Sequence, residues 1–192
     1  MEIIHHRVNG VKELMRLDPR DGAEIDIRSR RGRLILAHDA DSEGPALERW
    51  LDVYARTRPD RLLILNPKED GLDGRVLALL KERGIKRFFF LDLTFPSIVR
   101  LSVRGGERRV ALRVSEHEPA SAAKPLKRWV DWAWLDCFSG RPASAAAVRS
   151  LRRSFHVCLV SPELEGYPAA RIRSFRGLPA DAVCTKHPEL WR

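Results

Sequence analysis

Three short motifs near the start of the chain carry side chains suited to acid–base and anion chemistry: His6-Arg7, Glu24-Ile25-Asp26 and His38-Asp39. Histidine exchanges a proton near neutral pH, so two histidines can act as base and acid in one reaction. Arginine grips phosphate or carboxylate oxygens through a planar fork of donors. Glu24 and Asp26 lie two positions apart, a spacing that on a strand puts both carboxylates on one face and Ile25 and Ile27 on the other. Two adjacent carboxylates repel unless a cation lies between them, and hard oxygen donors select Mg²⁺ or Ca²⁺. The same pair on a half-exposed strand would instead be a charged face in water. Phosphoryl chemistry uses this combination: a cation with Arg or Lys neutralises the phosphate, and histidines move the protons.

The elements that must position these groups follow a repeating rhythm. Short apolar runs at Ile3-Ile4, 23–27, 34–37, 62–65, 87–91, 110–114, 130–135, 155–160 and 182–184 have the character of strands. The second and third are separated only by a turn around Arg31-Gly32. Leu47, Trp50, Leu51 and Tyr54 fall at helical spacing, as do Leu72, Val76, Leu79 and Leu80, with Gly84 placed to end the second helix. Residues 145–151 form a third helix. Strand alternating with helix implies a parallel sheet, and about eight such units imply a closed (β/α)₈ TIM barrel rather than an open sheet. The open doubly wound alternative normally carries a glycine-rich phosphate loop after its first strand, and none occurs here. At 192 residues the chain is short for a barrel, typically about 250 residues, so some helices must shrink to loops, the Ala/Ser/Pro-rich stretch 119–127 among them. A single domain spanning 1–192 is expected.

In a barrel, function gathers at the C-terminal ends of the strands. There the sequence places His6-Arg7, His38-Asp39, Asn66-Pro67-Lys68, Asp92, Asp136 and Thr185-Lys186. Trp134 and Asp136, late in one strand, are candidates for shaping a leaving-group pocket, and Trp134 serves equally well as core packing. His117, His156 and His187 fall outside these motifs and are read as structural.

The net charge is +9, from 35 Lys plus Arg against 26 Asp plus Glu, which favours anionic partners without choosing among them. The arginines at 28, 30, 31 and 33 and at 149, 152 and 153 are dispersed, with little aromatic interleaving, and read as solvated surface rather than a nucleic-acid stripe. No apolar run reaches the length of a membrane span, and the first residues lack the apolar core of a secretory signal. Cys137, Cys158 and Cys184 are odd in number and far apart, so neither a disulfide framework nor a structural zinc site is expected, and a reduced, cytoplasmic setting is the simplest expectation.

In order and spacing, His6-Arg7, then Gly22-Ala23-Glu24-Ile25-Asp26, then a strand ending His38-Asp39 resemble the glycerophosphodiester phosphodiesterase family, whose barrel is related to phosphatidylinositol-specific phospholipase C and spider-venom sphingomyelinase D. The likeness is strong over 3–39, moderate around 62–68 and 182–188, and loose between. It implies a metal-dependent phosphodiester hydrolase. Glu24 and Asp26 would hold a divalent cation, Mg²⁺ or Ca²⁺. Arg7 and Lys68 would grip a small-molecule or lipid-derived phosphodiester, His6 would be the general base and His38 the general acid. A substrate hydroxyl attacks first in that family and leaves a cyclic phosphate. The chain departs from the pattern in two places. Val8-Asn9-Gly10 follows His-Arg where the family has Gly, and Asn66-Pro67-Lys68 stands where the family has Glu-x-Lys. The third metal carboxylate is therefore replaced, and Asn66 or Asp92 would have to complete the site. A lyase on the same barrel acting on a phosphorylated or acidic sugar, and a non-catalytic binder of anionic lipid or nucleic acid, are the alternatives.

Overall fold

Nine strands and seven short helices alternate along residues 1–192 of the computed structural model. The strands are β1 Glu2–His5, β2 Gly22–Arg30, β3 Arg33–Leu36, β4 Leu63–Pro67, β5 Phe88–Phe90, β6 Ala111–Val114, β7 Trp132–Leu135, β8 His156–Val160 and β9 Ala182–Thr185. The helices are α1 Val11–Arg16, α2 Leu47–Thr57, α3 Asp73–Glu82, α4 Phe95–Ile98, α5 Ala120–Ala123, α6 Ala145–Arg152 and α7 Ile172–Phe175. Eight strands run parallel in the order β5-β4-β2-β1-β9-β8-β7-β6, and a parallel bridge from Phe90 to Val110 joins the ends into a barrel. The small TIM barrel is thus the observed architecture. No helix is long and apolar enough to cross a membrane.

Alternation along each strand sorts the core into two layers. Ile25, Ile27, Leu63, Leu65, Phe88 and Phe90 point outward and pack beneath the helices, where Trp50 stacks on Tyr54 with ring centroids 5.2 Å apart. Ile4, Ile64, Phe89, Leu91, Trp134, Cys158, Val160 and Cys184 point inward and plug the barrel. Both faces are covered, so the strands read as nearly continuous apolar runs. All three cysteines are free and buried.

The third apolar run does not join the barrel as a parallel strand. β3 folds back antiparallel on β2, pairing Ile27 with Leu36 and Arg30 with Arg33. Its connection is too short for a parallel crossover, which needs a dozen or more residues. Arg31 and Gly32 instead take positive φ, 50° and 76°, the conformation of a tight hairpin turn. Three further helices lie where no helix was expected: α1, α4 and α7. α4 continues into a π-helical turn over Val99–Arg104. The stretch expected as a loop, 119–127, holds two short turns, α5 and the 3₁₀ segment Lys124–Leu126.

Candidate active site

The C-terminal mouth of the barrel holds a polar layer above the apolar plug. Glu24 and Asp26 are 1% and 0% exposed, so the pair is buried in the barrel and is not a solvated strand face. Alternation on β2 turns them inward because Ile25 and Ile27 take the helix-facing side. Strand register then sets their neighbours: Asp26 lies beside Asn66 of β4, and Ile27 beside Pro67.

Each acidic group has one oxygen that accepts a hydrogen bond and one that does not. The Arg7 amide donates to Glu24 Oε2 at 2.7 Å, and His6 Nε2 lies 3.9 Å from the same oxygen. Asn9 Nδ2 donates to Asp26 Oδ2 at 2.9 Å, while Asn9 Oδ1 accepts from the Asp26 amide. Lys68 Nζ lies 2.9 Å from Asp26 Oδ1 as an ion pair without hydrogen-bond alignment. Glu24 Oε1, Asp26 Oδ1 and Asn66 Oδ1 are buried and receive no hydrogen bond. Burial, reinforced by the Asp26 charge, raises the Glu24 carboxyl well above the usual carboxylate range. These three oxygens fit a hard divalent cation, with two carboxylates and one neutral amide as donors. No group of three His, Cys, Asp or Glu side chains converges as a metal cluster.

The histidines differ in setting. His6 is held neutral, its pKa pushed down to about 4 by burial and then by the nearby charges of Arg7 and Lys186. Its Nδ1 is buried without a partner. His38 sits at the rim, Nδ1 against Asp39 Oδ1 at 2.7 Å and Nε2 against the Arg7 guanidinium. Because Arg7 can only donate, His38 Nε2 accepts and Nδ1 carries the proton toward Asp39. Arg28, expected as solvated surface, donates twice to the His38 carbonyl, at 3.1 and 2.9 Å. Arg30 donates to the carbonyls of Asp41 and Ser42. β2 thus anchors the loop that carries His38.

A cavity of about 160 Å³ is lined by His6, Arg7, Glu24, Asn66 and Lys68 on one wall. Asp92, Arg113, Trp134, Asp136 and Glu165 line the other. His38 does not line it and reaches it through Arg7. Arg113 was not singled out in the sequence, although it shares the inward face of β6 with Ala111 while Leu112 and Val114 face the helices. It donates from Nε to Asp92 Oδ1 at 2.8 Å and from Nη1 to Asp136 Oδ2 at 2.9 Å. Asp92 is therefore matched to Arg113 at Oδ1, with Asn66 Nδ2 at 3.5 Å from its Oδ2, whereas Asn66 Oδ1 has no partner. Burial pushes Asp136 up to about 8, with Arg113 opposing and Glu165 adding to the rise. Trp134 belongs both to the apolar plug and to the cavity wall. Arg7 and Asp92 have positive φ, 55° and 56°, two of only three non-glycine residues that do. Strained backbone of this kind gathers at functional sites.

The remaining candidates lie apart. His156 lies against Trp132 with the rings tilted by 39° and their centroids 5.1 Å apart, and His187 contacts Glu189. Thr185 donates to Glu163 at 2.6 Å.

No protein-family profile and no curated protein matches the chain. Solved structures do share its fold. A Galdieria sulphuraria protein, provisionally assigned as a glycerophosphodiester phosphodiesterase, superposes with TM-score 0.77 at 13% identity, covering 99% of this chain and 95% of its own. An Oleispira antarctica phosphodiesterase, solved with its product sn-glycerol-3-phosphate, gives 0.72 at 16% identity, covering 100% and 95%. The Thermotoga maritima glycerophosphodiester phosphodiesterase gives 0.69 at 16% identity, covering 98% and 96%. The fold of this chain is the fold of those enzymes over nearly the whole length of each.

Proposed function

We propose that this protein hydrolyses phosphodiesters at the C-terminal mouth of its barrel, with His6 and His38 as base and acid. The observation that carries the reading is the single cavity wall on which His6, Arg7, Glu24, Asn66 and Lys68 meet. Likeness in fold to phosphodiesterases supports it. Glu24, Asp26 and Asn66 would hold a divalent cation, which when bound supplies charge neutralisation at the phosphate. Arg7 and Lys68 add fixed positive charge at the same wall and orient the diester. His6, neutral at working pH, accepts the proton of the attacking hydroxyl, one carried by the substrate beside its phosphate. When Arg7 turns from His38 to the phosphate, His38 Nε2 is free to take a proton and give it to the departing alcohol, and Asp39 on Nδ1 holds the ring and stabilises its charged form. Water then opens the cyclic phosphate, with the two histidines exchanging roles.

The test is turnover of a glycerophosphodiester by the purified protein with Mg²⁺ or Ca²⁺ and with chelator. An alcohol and a phosphomonoester should appear only with cation, and no new double bond should form. A product with a double bond would point to a lyase, and no turnover of any diester would overturn the reading. Cation binding is read separately by calorimetry: Asn66→Asp should tighten it about tenfold by restoring a third carboxylate, and Asp26→Asn should abolish it. Unchanged affinity in both variants would remove Glu24, Asp26 and Asn66 as a metal site.

A further inference from the structure

A second cavity, of about 580 Å³, opens beside the polar one at the same end of the barrel. Its size is that of a site for a whole small molecule. Asp92 and Arg113 line both cavities, so the two meet across that ion pair. Beyond the pair most of the lining is apolar, with Phe95 and Ile98 of α4 on one side and Ala122, Ala123 and Leu126 on the other, while His117 and Glu118 stand on the loop that leads from β6 to α5. The groove exists because the barrel is thin here. β5 and β6 meet through one bridge, and the helix after β6 is cut to single turns. Ala111, small and facing the barrel interior, lines the groove beside Arg113.

Both banks are built firmly. Thr94 and Ser97 each donate to Asp70 Oδ1 at 2.9 Å, and Arg100 makes two bonds of 2.8 Å to Asp73. On the far bank the Glu118 amide donates to Ser115 Oγ at 3.0 Å. Phe95 is nevertheless 60% exposed at the rim. A fixed segment that holds an aromatic ring in water beside an apolar groove is suited to an apolar ligand.

We propose that the substrate is an amphiphile, a phosphodiester bearing one aliphatic chain, with the phosphate in the polar cavity and the chain passing the Asp92–Arg113 pair into the groove between α4 and α5. The inference rests on the phosphodiesterase reading, and it explains why apolar and charged cavities share a wall. A single chain matches one groove with two banks. Each methylene buried there adds about two- to fourfold to binding.

The test compares kcat/KM for a deacylated glycerophosphodiester and its monoacyl forms with short, medium and long saturated chains, all below micelle formation. In the wild type the ratio of acylated to deacylated kcat/KM should climb with chain length until the groove is full. Ala122→Trp, on an exposed turn, fills the groove, and the ratio should fall to near one. Phe95→Ala should lower it several-fold. Equal kcat/KM for deacylated and acylated diesters, or a chain-length rise that survives Ala122→Trp, overturns the inference. A rise seen only with vesicles and insensitive to Ala122→Trp also overturns it, assigning the effect to adsorption of a basic protein on a lipid surface. If no diester turns over, the phosphodiesterase reading fails. The groove is then read by calorimetry with a single-chain alkyl phosphate: binding lost in Ala122→Trp supports it, and no binding in the wild type overturns it.

Discussion

His6 and His38 are unequal partners. His6 is buried, neutral and lacks a partner at Nδ1, whereas His38 is half-exposed and hydrogen-bonded at both ring nitrogens. A base must be unprotonated before reaction, and burial beside Arg7 and Lys186 keeps His6 so. An acid needs a proton and a counter-charge, and Asp39 supplies the second. His38→Ala should therefore cost about 10²–10⁴-fold on diesters with alkoxide leaving groups, and much less on a nitrophenyl diester whose leaving group needs little protonation. His6→Ala should impair both. Equal losses on the two substrates for His38→Ala, compared as kcat/KM, would end its role as the acid. The identities of these two residues are plain in the sequence, since both sit in short motifs that close strands. Arg113 was hidden, because an arginine in a four-residue strand looks like any solvated charge until the parity of Ala111 marks its face as inward.

At the scale of elements, β2 does most of the positioning. It presents Glu24 and Asp26 inward, pairs with β1 and β4, and carries the hairpin to β3, whose following loop holds His38. Its entry is tight: a Cβ on Gly22 would lie 2.2 Å from the Leu62 carbonyl oxygen and 2.5 Å from Ile4 Cδ1. Gly22→Ala should cost about 1–3 kcal/mol of stability through overpacking. Gly74→Ala, with nothing within 4 Å, should instead be neutral or stabilise α3 by about 0.5–1 kcal/mol. Paired denaturant titrations check this, and similar midpoints for the two variants would show that β1 and β4 shift freely to admit a methyl group. The hairpin could be expected from the short spacing around Arg31-Gly32, but the tie from Arg28 to the His38 carbonyl could not. It depends on two strands lying antiparallel, which brings a β2 side chain beside the backbone ten residues later.

For the whole molecule, the buried charges set how stability responds to pH. Asp136 has its folded pKa raised to about 8. A raised carboxyl binds its proton more tightly when folded, so its contribution is present at low pH and is lost as pH rises through the folded value. Glu165 and Asp92 face Asp136 and add to the rise, and Arg113 opposes it. His6 works in the opposite sense. Its lowered pKa favours the folded state above the ordinary histidine value and loses that contribution as pH falls toward about 4. The two overlap in acid, where the raised Glu24 carboxyl, lifted to about 7 by burial, also loses its contribution as pH rises; above about pH 7 His6 is neutral in both states and Glu24 is ionised, which leaves Asp136 exposed to view. Without divalent cation, thermal stability should decline from about pH 7 to about 8, and Asp136→Asn should flatten that decline. A slope unchanged in the variant would place the titration elsewhere.

Local pattern was enough to determine the strand-and-helix rhythm, the placing of Glu24 and Asp26 together on one face of β2 and the motif residues at strand ends, because each depends on a period of two or of about 3.6 residues. Three features were decided only by tertiary structure. Glu24 and Asp26 are buried rather than solvated because seven other strands close the barrel around them. β3 leaves the parallel set because its turn is too short to cross over. The matching of Asp92 to Arg113, and the apolar groove beyond them, arise where β5 meets β6 through a single bridge. These are contacts between residues far apart in the chain, and no local spacing encodes the distance between two strands that become neighbours only when the sheet closes.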